Sequence, residues 1–182
     1  MPIIGVLGKI GSGKGTFSEY LRDKYGYKVI VMGDIVREIA AKLGLEPNRE
    51  NLQRIQKEFT SRYGQDYFAK EVVRRIKEGG WENVVIDGMR RPLDVEVPKK
   101  EFGDKLIVVL IEADPKTRFE RMRKRKRVGD PQTLEEFLAQ EKREMELFNL
   151  EKAFSYAQYK IENNGTLEEF YKRIDEFMRK IS

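Results

Sequence analysis

The stretch Ile3-Ile4-Gly5-Val6-Leu7, followed by Gly8-Lys9-Ile10-Gly11-Ser12-Gly13-Lys14-Gly15-Thr16, decides how the chain is read. A short apolar run stops at a glycine cluster, and from Thr16 to Tyr25 helical spacing takes over, with Phe17, Tyr20 and Leu21 on one side. Strand, glycine-rich loop and helix in that order are the context that a phosphate-binding loop of the P-loop (Walker A) pattern requires. Gly8, Gly11, Gly13 and Gly15, with Ser12 among them, let the backbone curl so that successive N–H groups join the positive end of the helix dipole on a polyphosphate. Lys14 is then placed to reach the β and γ oxygens of a nucleoside triphosphate. The strict pattern has Ser or Thr directly after the lysine to touch Mg²⁺, but Gly15 stands there and Thr16 comes one step later. Any metal therefore falls to phosphates, waters and a carboxylate, with Thr16 as the nearest hydroxyl for phosphate or metal.

Outward from this loop, strands and helices alternate. Tyr27 to Met32 reads as a second strand, and Ile35, Val36, Ile39, Ala40 and Leu43 then recur at helical spacing up to Gly44. Two more helical stretches lie between Asn48 and Lys77, split around Tyr63-Gly64-Gln65-Asp66, with no strand between them. Asn83 to Asp87 and Leu106 to Ala113 are nearly uninterrupted Val/Ile/Leu runs, as a parallel sheet covered on both faces requires. Gln158 to Glu162 is a short fifth strand before Asn163-Asn164-Gly165 and a last amphipathic helix. The pattern predicts a three-layer α/β fold of the P-loop NTPase type with about five parallel strands. We expect one domain: a core of residues 1–33, 78–122 and 150–182, a helical acceptor-binding insertion at 34–77, and a short lid at 123–149.

A chain of 182 residues holds one ordinary domain and excludes two large ones. Cysteine and histidine are both absent, which removes disulfides, thiol nucleophiles, histidine bases and Cys/His zinc sites. Carboxylates, hydroxyls, lysine, arginine and backbone amides remain, a set suited to electrostatic work on phosphates. No segment approaches 18 consecutive apolar residues, and the start runs directly into a strand-like segment, so the expected location is the cytoplasm, with no membrane partner. The oligomeric state is not legible from these features.

Three segments resemble the adenylate kinase and nucleoside monophosphate kinase family. The loop ends in Gly-Lys-Gly-Thr at residues 13–16, as that family's commonly does. Met32-Gly33-Asp34-Ile35-Val36-Arg37 is similar to the family's Gly-Asp-x-x-Arg segment, which implies that Arg37, with Asp34 beside it, holds an acceptor's phosphate. Val85-Ile86-Asp87-Gly88-Met89-Arg90-Arg91 is similar to its Asp-Gly-Phe-Pro-Arg segment, with Met-Arg replacing Phe-Pro. The resemblance implies that Asp87 orients Mg²⁺ through water and that Arg91 or Arg90 clamps the acceptor. From the residues alone, Asp34 serves equally well as a helix cap. Asp87 reads as functional, because a carboxylate ending an apolar buried strand has few structural reasons to be there. Phe59, Tyr63, Tyr67 and Phe68 suit helix packing better than a base pocket.

Residues 116–127 carry eight basic side chains against Glu120, a local +7 within a whole-chain charge of +5, which leaves −2 for the other 170 residues. A solvated helix face and nucleic-acid binding are two readings of this run. The family resemblance adds a third, in which Arg121 lies along the donor base and Arg125, one turn later, reaches donor phosphates. After them, Val128 to Thr133 is too short for the family's long lid, so the mixed-charge helix Leu134 to Phe148 is expected to form part of a short one, with Lys142 or Arg143 as further phosphate contacts. The tail from Tyr159 to Glu169 resembles that of dephospho-CoA kinases, and over the whole chain the likeness is to archaeal nucleotide-kinase-like or dephospho-CoA-kinase-related proteins. This implies that the Asn163-Asn164-Gly165 turn, Asn164 foremost, touches the adenine edge through backbone groups, although a turn into a helix capped by Thr166 and Glu169 explains the same residues.

The expected chemistry is direct phosphoryl transfer from ATP, with Mg²⁺, to a nucleotide-like small-molecule acceptor, foremost a nucleoside monophosphate. Dephospho-CoA is the alternative acceptor. A P-loop ATPase that binds RNA or a ribosomal partner is the alternative of another class. Lys14, Asp87, Arg91 and Arg125 are the candidate catalytic residues, and Thr16 and Asp87 the candidate metal residues.

Overall fold

The computed structural model describes residues 2–127 and 129–182. Five strands, β1 (Ile3–Gly8), β2 (Lys28–Val31), β3 (Val84–Asp87), β4 (Leu106–Glu112) and β5 (Tyr159–Glu162), form one sheet in the order β2-β3-β1-β4-β5. Each pairing is parallel. All six residues of β1 are buried, as its central place in the sheet demands. The helices are α1 (Lys14–Tyr25), α2 (Met32–Lys42), α3 (Arg49–Tyr63), α4 (Tyr67–Gly79), α5 (Pro92–Phe102), α6 (Pro115–Arg125), α7 (Leu134–Phe148), α8 (Leu150–Ser155) and α9 (Leu167–Ile181).

Alternation along the strands builds the three layers, since successive side chains point to opposite faces. Ile3, Leu7, Ile86, Val108 and Leu110 pack on one face with Ile35 and Val36 of α2, Val72 and Ile76 of α4, and Val95 of α5. Ile4, Val6, Val85, Val109 and Ile111 pack on the other with Phe17 and Leu21 of α1 and Phe170, Ile174 and Phe177 of α9. A third, small cluster of Phe119, Met122 and Phe137 joins α6 to α7, with Ile10 of the glycine-rich loop against it.

Two boundaries differ from the sequence reading. Met32 opens α2 directly after β2, so Gly33 and Asp34 lie in the first helical turn, whose N-cap is Val31. Helix α5 was not expected, because Pro92 and Pro98 interrupt its pattern. Pro92 occupies the first helical position, where a missing N–H costs little, and Pro98 is buried within the helix. Helices α2, α3 and α4 fill the interval read as an insertion, and α7 lies within the interval read as a lid. Of the connection before α7, Val128 lies outside the described residues. Among the described residues no helix is long and apolar enough to cross a membrane.

Candidate functional site

The register of the sheet sets the site. Val31 is opposite Asp87, Gly8 opposite Ile111, and Glu112 opposite Glu162, so the carboxyl ends of all five strands come to one edge. Binding crevices of open α/β sheets form at this edge. The loop from Gly8 to Gly13 rises there between β1 and α1.

Two contacts explain the glycines at 11 and 13. Gly11 has a φ of 79°, and a Cβ there would lie 2.7 Å from the Arg118 carbonyl oxygen of α6. Gly13 has a φ of 109°, and a Cβ there would run into the side-chain amide of Asn163. Both positions combine left-handed backbone with a close neighbour, which leaves glycine as the residue that fits. The same neighbours hold the loop. Asn163 Nδ2 donates to the Ser12 carbonyl at 2.9 Å, and Arg121 donates to the carbonyls of Gly11 (3.3 Å), Ser12 (3.5 Å) and Asn163 (2.6 Å).

Helix α1 has Gly13 as its N-cap, with no side-chain cap and no acidic residue in its first turn, which leaves its leading N–H groups to an external acceptor. Ser12 Oγ is buried with no hydrogen-bond partner. Gly15 is exposed, with open space around its Cα. An orphaned hydroxyl, uncapped amides and a lysine in one concave loop fit a polyphosphate.

Lys14 turns back over the loop and donates from Nζ to the carbonyls of Gly8 (2.5 Å) and Lys9 (3.3 Å). Burial pushes its ammonium down to about 8, with the neighbouring Asp87 charge pulling the other way and Arg90 reinforcing the fall. Asp87 ends β3, and its carboxyl is raised above the usual range by burial, against the pull of Lys14 and a hydrogen bond from Ser18. Ser18 Oγ lies 3.2 Å from Asp87 Oδ2 and 3.1 Å from the Lys14 carbonyl, so its one proton serves either acceptor. Ser18 is one helical turn beyond Lys14, and that spacing alone could have singled it out. The carboxylate of Asp87 with the hydroxyl of Ser18 is a hard-oxygen pair of the kind Mg²⁺ takes, while Thr16, two residues before Ser18 on α1, lies on a different face of the helix.

The turn after β3 is fixed by its flanks. Met89 is buried and packs against Gly5, while Asp94 Oδ2 accepts from the N–H groups of Arg90 (2.9 Å) and Arg91 (3.0 Å). Burial raises the Asp94 carboxyl, and those two N–H bonds lower it in part. The guanidinium carbons of Arg90 and Arg91 lie 5.7 and 5.5 Å from the ring centre of Phe148 at the end of α7, within cation–π range. Both arginines thus face one aromatic ring. Arg37 is paired with Asp34 at 2.6 Å on the exposed side of α2.

Three residues expected on the donor side have partners within the fold. The Arg121 guanidinium, expected along a base, is engaged by three backbone carbonyls of the loop region. Arg125 pairs with Asp130 at 3.4 Å. Asn164 accepts at Oδ1 from the Asp114 N–H at 2.7 Å, while its neighbour Asn163 is the one that contacts the loop. Asn164 does line a cleft of about 400 Å³ over the ends of β4 and β5, together with Lys9, Ser12, Asp114 and Arg118. Lys142 and Arg143 are exposed on α7. Phe59, Tyr63, Tyr67 and Phe68 interlock with ring centres 5.0 to 6.4 Å apart, Phe68 buried and Tyr63 exposed.

Known proteins resemble this chain over most of its length. The AAA domain family matches residues 7–138. A UPF0200/UPF0201 protein of Archaeoglobus fulgidus is 39% identical over 184 residues that cover all of this chain and 56% of the relative, so the chain spans little more than half of that protein. A UPF0200 protein of Hyperthermus butylicus is 40% identical over 168 residues, 92% of this chain and 88% of the relative. Among solved structures, the shikimate kinase of Bacteroides thetaiotaomicron superposes with a TM-score of 0.62 at 17% identity, covering 99% of this chain and 98% of that one. At that identity the likeness shows the fold alone, a three-layer α/β fold of the P-loop NTPase type.

Proposed function

Because the chain belongs to the AAA domain family and to the archaeal UPF0200 proteins, we propose that it is an ATP- and Mg²⁺-dependent phosphotransferase acting on a nucleotide-like small molecule, foremost a nucleoside monophosphate. One observation carries the reading. Lys14 is half-buried in an uncapped phosphate loop beside Asp87, while Arg90 and Arg91 leave the same strand end as Asp87. Cations on both sides of the reacting phosphoryl group are what direct transfer needs, because the protein's task is positioning and charge stabilisation.

In this reading Lys14 and the amides of residues 11–16 hold the donor's β and γ phosphates. Arg91 and Arg90, with Arg37 on α2, hold the acceptor. Asp87, with the Ser18 hydroxyl, would hold Mg²⁺, which when bound neutralises charge on the phosphate oxygens. Asn164 and the cleft it lines receive the base, and Arg125 is drawn from Asp130 to a phosphate. Residues 123–149 close as a short lid and exclude water, residues 34–77 form the acceptor-binding insertion, and the remainder is the core.

An acceptor panel tests the reading. ADP formed from ATP and Mg²⁺ is measured with AMP, CMP, UMP, GMP and dephospho-CoA in turn, and without acceptor. Strong stimulation by a nucleoside monophosphate is expected. Stimulation by dephospho-CoA alone would move the assignment to that acceptor.

A second reading, an ATPase that binds nucleic acid, is favoured by the basic surface of α6 and the two residues that follow it. Lys116, Arg123, Lys124, Lys126 and Arg127 are exposed there with no ion-pair partner among the described residues, whereas α4 pairs Lys70, Arg74, Arg75 and Lys77 with acids. Acceptor-independent hydrolysis stimulated by RNA in the same panel would decide for it.

A further inference from the structure

Lys9 and Arg118 converge on a single carboxylate oxygen. Glu141 of α7 accepts at Oε1 from Lys9 Nζ at 2.9 Å and from Arg118 Nη2 at 3.0 Å, and at Oε2 from the same Nη2 at 3.2 Å. The Arg118 side chain is 2% exposed, and its other donors go to the carbonyls of Ala113 (2.9 Å) and Ile10 (3.4 Å). Backbone therefore fixes the guanidinium independently of the carboxylate it faces. Lys9 belongs to the phosphate loop itself. Two cations converging on one oxygen, at the mouth of a loop built for phosphate, is the coordination a phosphate oxygen takes.

The surroundings support an exchangeable occupant. The 400 Å³ cleft over β4 and β5 and a smaller cavity of about 70 Å³ between the loop, α6 and α7 share Lys9 and Arg118 as a common wall, and Glu141 lines only the smaller. Helix α7 is lightly held. Of its fifteen residues only Phe137 is buried, and Leu138 and Leu147 are exposed. It joins α8 through Asn149, a non-glycine residue with a φ of 53°. Few buried contacts, and a joint at which the helix simply ends on a left-handed cap, mark an element that moves at low cost.

We propose that Lys9 and Arg118 form a phosphate subsite in which the Glu141 carboxylate is the internal anion that a substrate phosphate displaces as α7 shifts. The subsite rests on the phosphotransferase reading and extends it. Glu141 keeps the buried arginine paired until substrate arrives, since an uncompensated buried charge is costly. Substrate phosphate takes over the same two donors, so binding and release of α7 are coupled through one anion-binding position.

Titration calorimetry on the full chain tests this with three probes: ATP, AMP and inorganic triphosphate. Glu141→Gln keeps the side-chain shape and removes the competing charge, and it should tighten binding of at least one probe by about five- to twentyfold. In a Lys9→Ala background the same change should gain less than about twofold, because the gain from freeing a two-cation site is lost with Lys9, and an undiminished gain there would mark simple relief of repulsion and overturn the subsite. A gain confined to ATP and triphosphate assigns the subsite to the donor, and one confined to AMP assigns it to the acceptor. Thermal unfolding should show Glu141→Gln less stable alone and more strongly stabilised by the probe it binds. Unchanged or weaker affinity for all three probes, with ATP binding still lost in Lys14→Ala, would reduce Glu141 to a strut and leave the phosphotransferase reading standing. ATP binding undiminished by Lys14→Ala would overturn that reading and the subsite together.

Discussion

Asn163, just past the end of β5, donates its side-chain amide to the carbonyl of Ser12 at 2.9 Å, and both residues are buried. The last strand of the sheet therefore sets the shape of a loop more than 140 positions earlier in the chain. Asn163→Ala would leave that carbonyl only the long contact from Arg121 at 3.5 Å and open space beside Gly13. We expect a loss of about 1–2 kcal/mol of stability by chemical denaturation and a several-fold weaker ATP affinity. Asn164→Ala, which removes a bond to the Asp114 N–H, should affect ATP affinity less. The reverse order would show that Asn164 carries the contact.

Lys14→Ala should abolish phosphoryl transfer, by at least about a hundredfold, without unfolding the chain. Burial already disfavours the Lys14 ammonium, so its removal takes no net support from the fold. Coupled assays and thermal melts at neutral pH check both halves. Activity within a few-fold of wild type would refute the loop's role.

ATP affinity should be level below about pH 7 and fall as pH rises through 8, because a phosphate binds the charged lysine and Lys14 loses its proton near that pH. Stability runs the other way. The folded pKa of about 8 lies below the usual 10.5, so the unfolded chain binds more protons between those values. The contribution of this residue to stability therefore rises with pH across that window. Calorimetry in buffers of different ionisation enthalpy should detect proton uptake on ATP binding at pH 8–9 and none in Lys14→Ala.

Arg37→Ala should raise the KM for the acceptor at least about tenfold and change that for ATP by less than about twofold. Its ion pair with Asp34 is exposed on both sides, so the melting temperature should barely move. Equal effects on both substrates would remove Arg37 from the acceptor side.

The parallel sheet was legible because β1, β3 and β4 are apolar runs with no solvent face, and the glycines before Lys14 announced the loop. Helix α5 escaped because two prolines mask its periodicity, although Pro92 stands where a helix accepts one. Arg118 escaped for a different reason. In a run of eight cations nothing local separates the buried one, and its burial follows from Phe119 and Met122 turning that side of α6 toward Ile10 and Phe137. Arg121 was read as facing a ligand because spacing gives a helix face but not what that face meets. Glu141 and Asn163 act through partners 23 and 151 positions away, separations that no motif spans.

The strand order β2-β3-β1-β4-β5 also bears on how the chain is made. Strand β1 precedes the other four strands in the chain, yet its neighbours are β3 and β4, and its full pairing runs to Ile111. Until that residue has emerged, the apolar segment Ile3–Gly8 has no complete edge to join. Well over half of the chain must exist before the phosphate loop gains its floor, and such long-range parallel pairing is slow and exposes sticky surface meanwhile. Nascent chains cut short before β4 should therefore aggregate or recruit chaperones, whatever the stability of the finished fold.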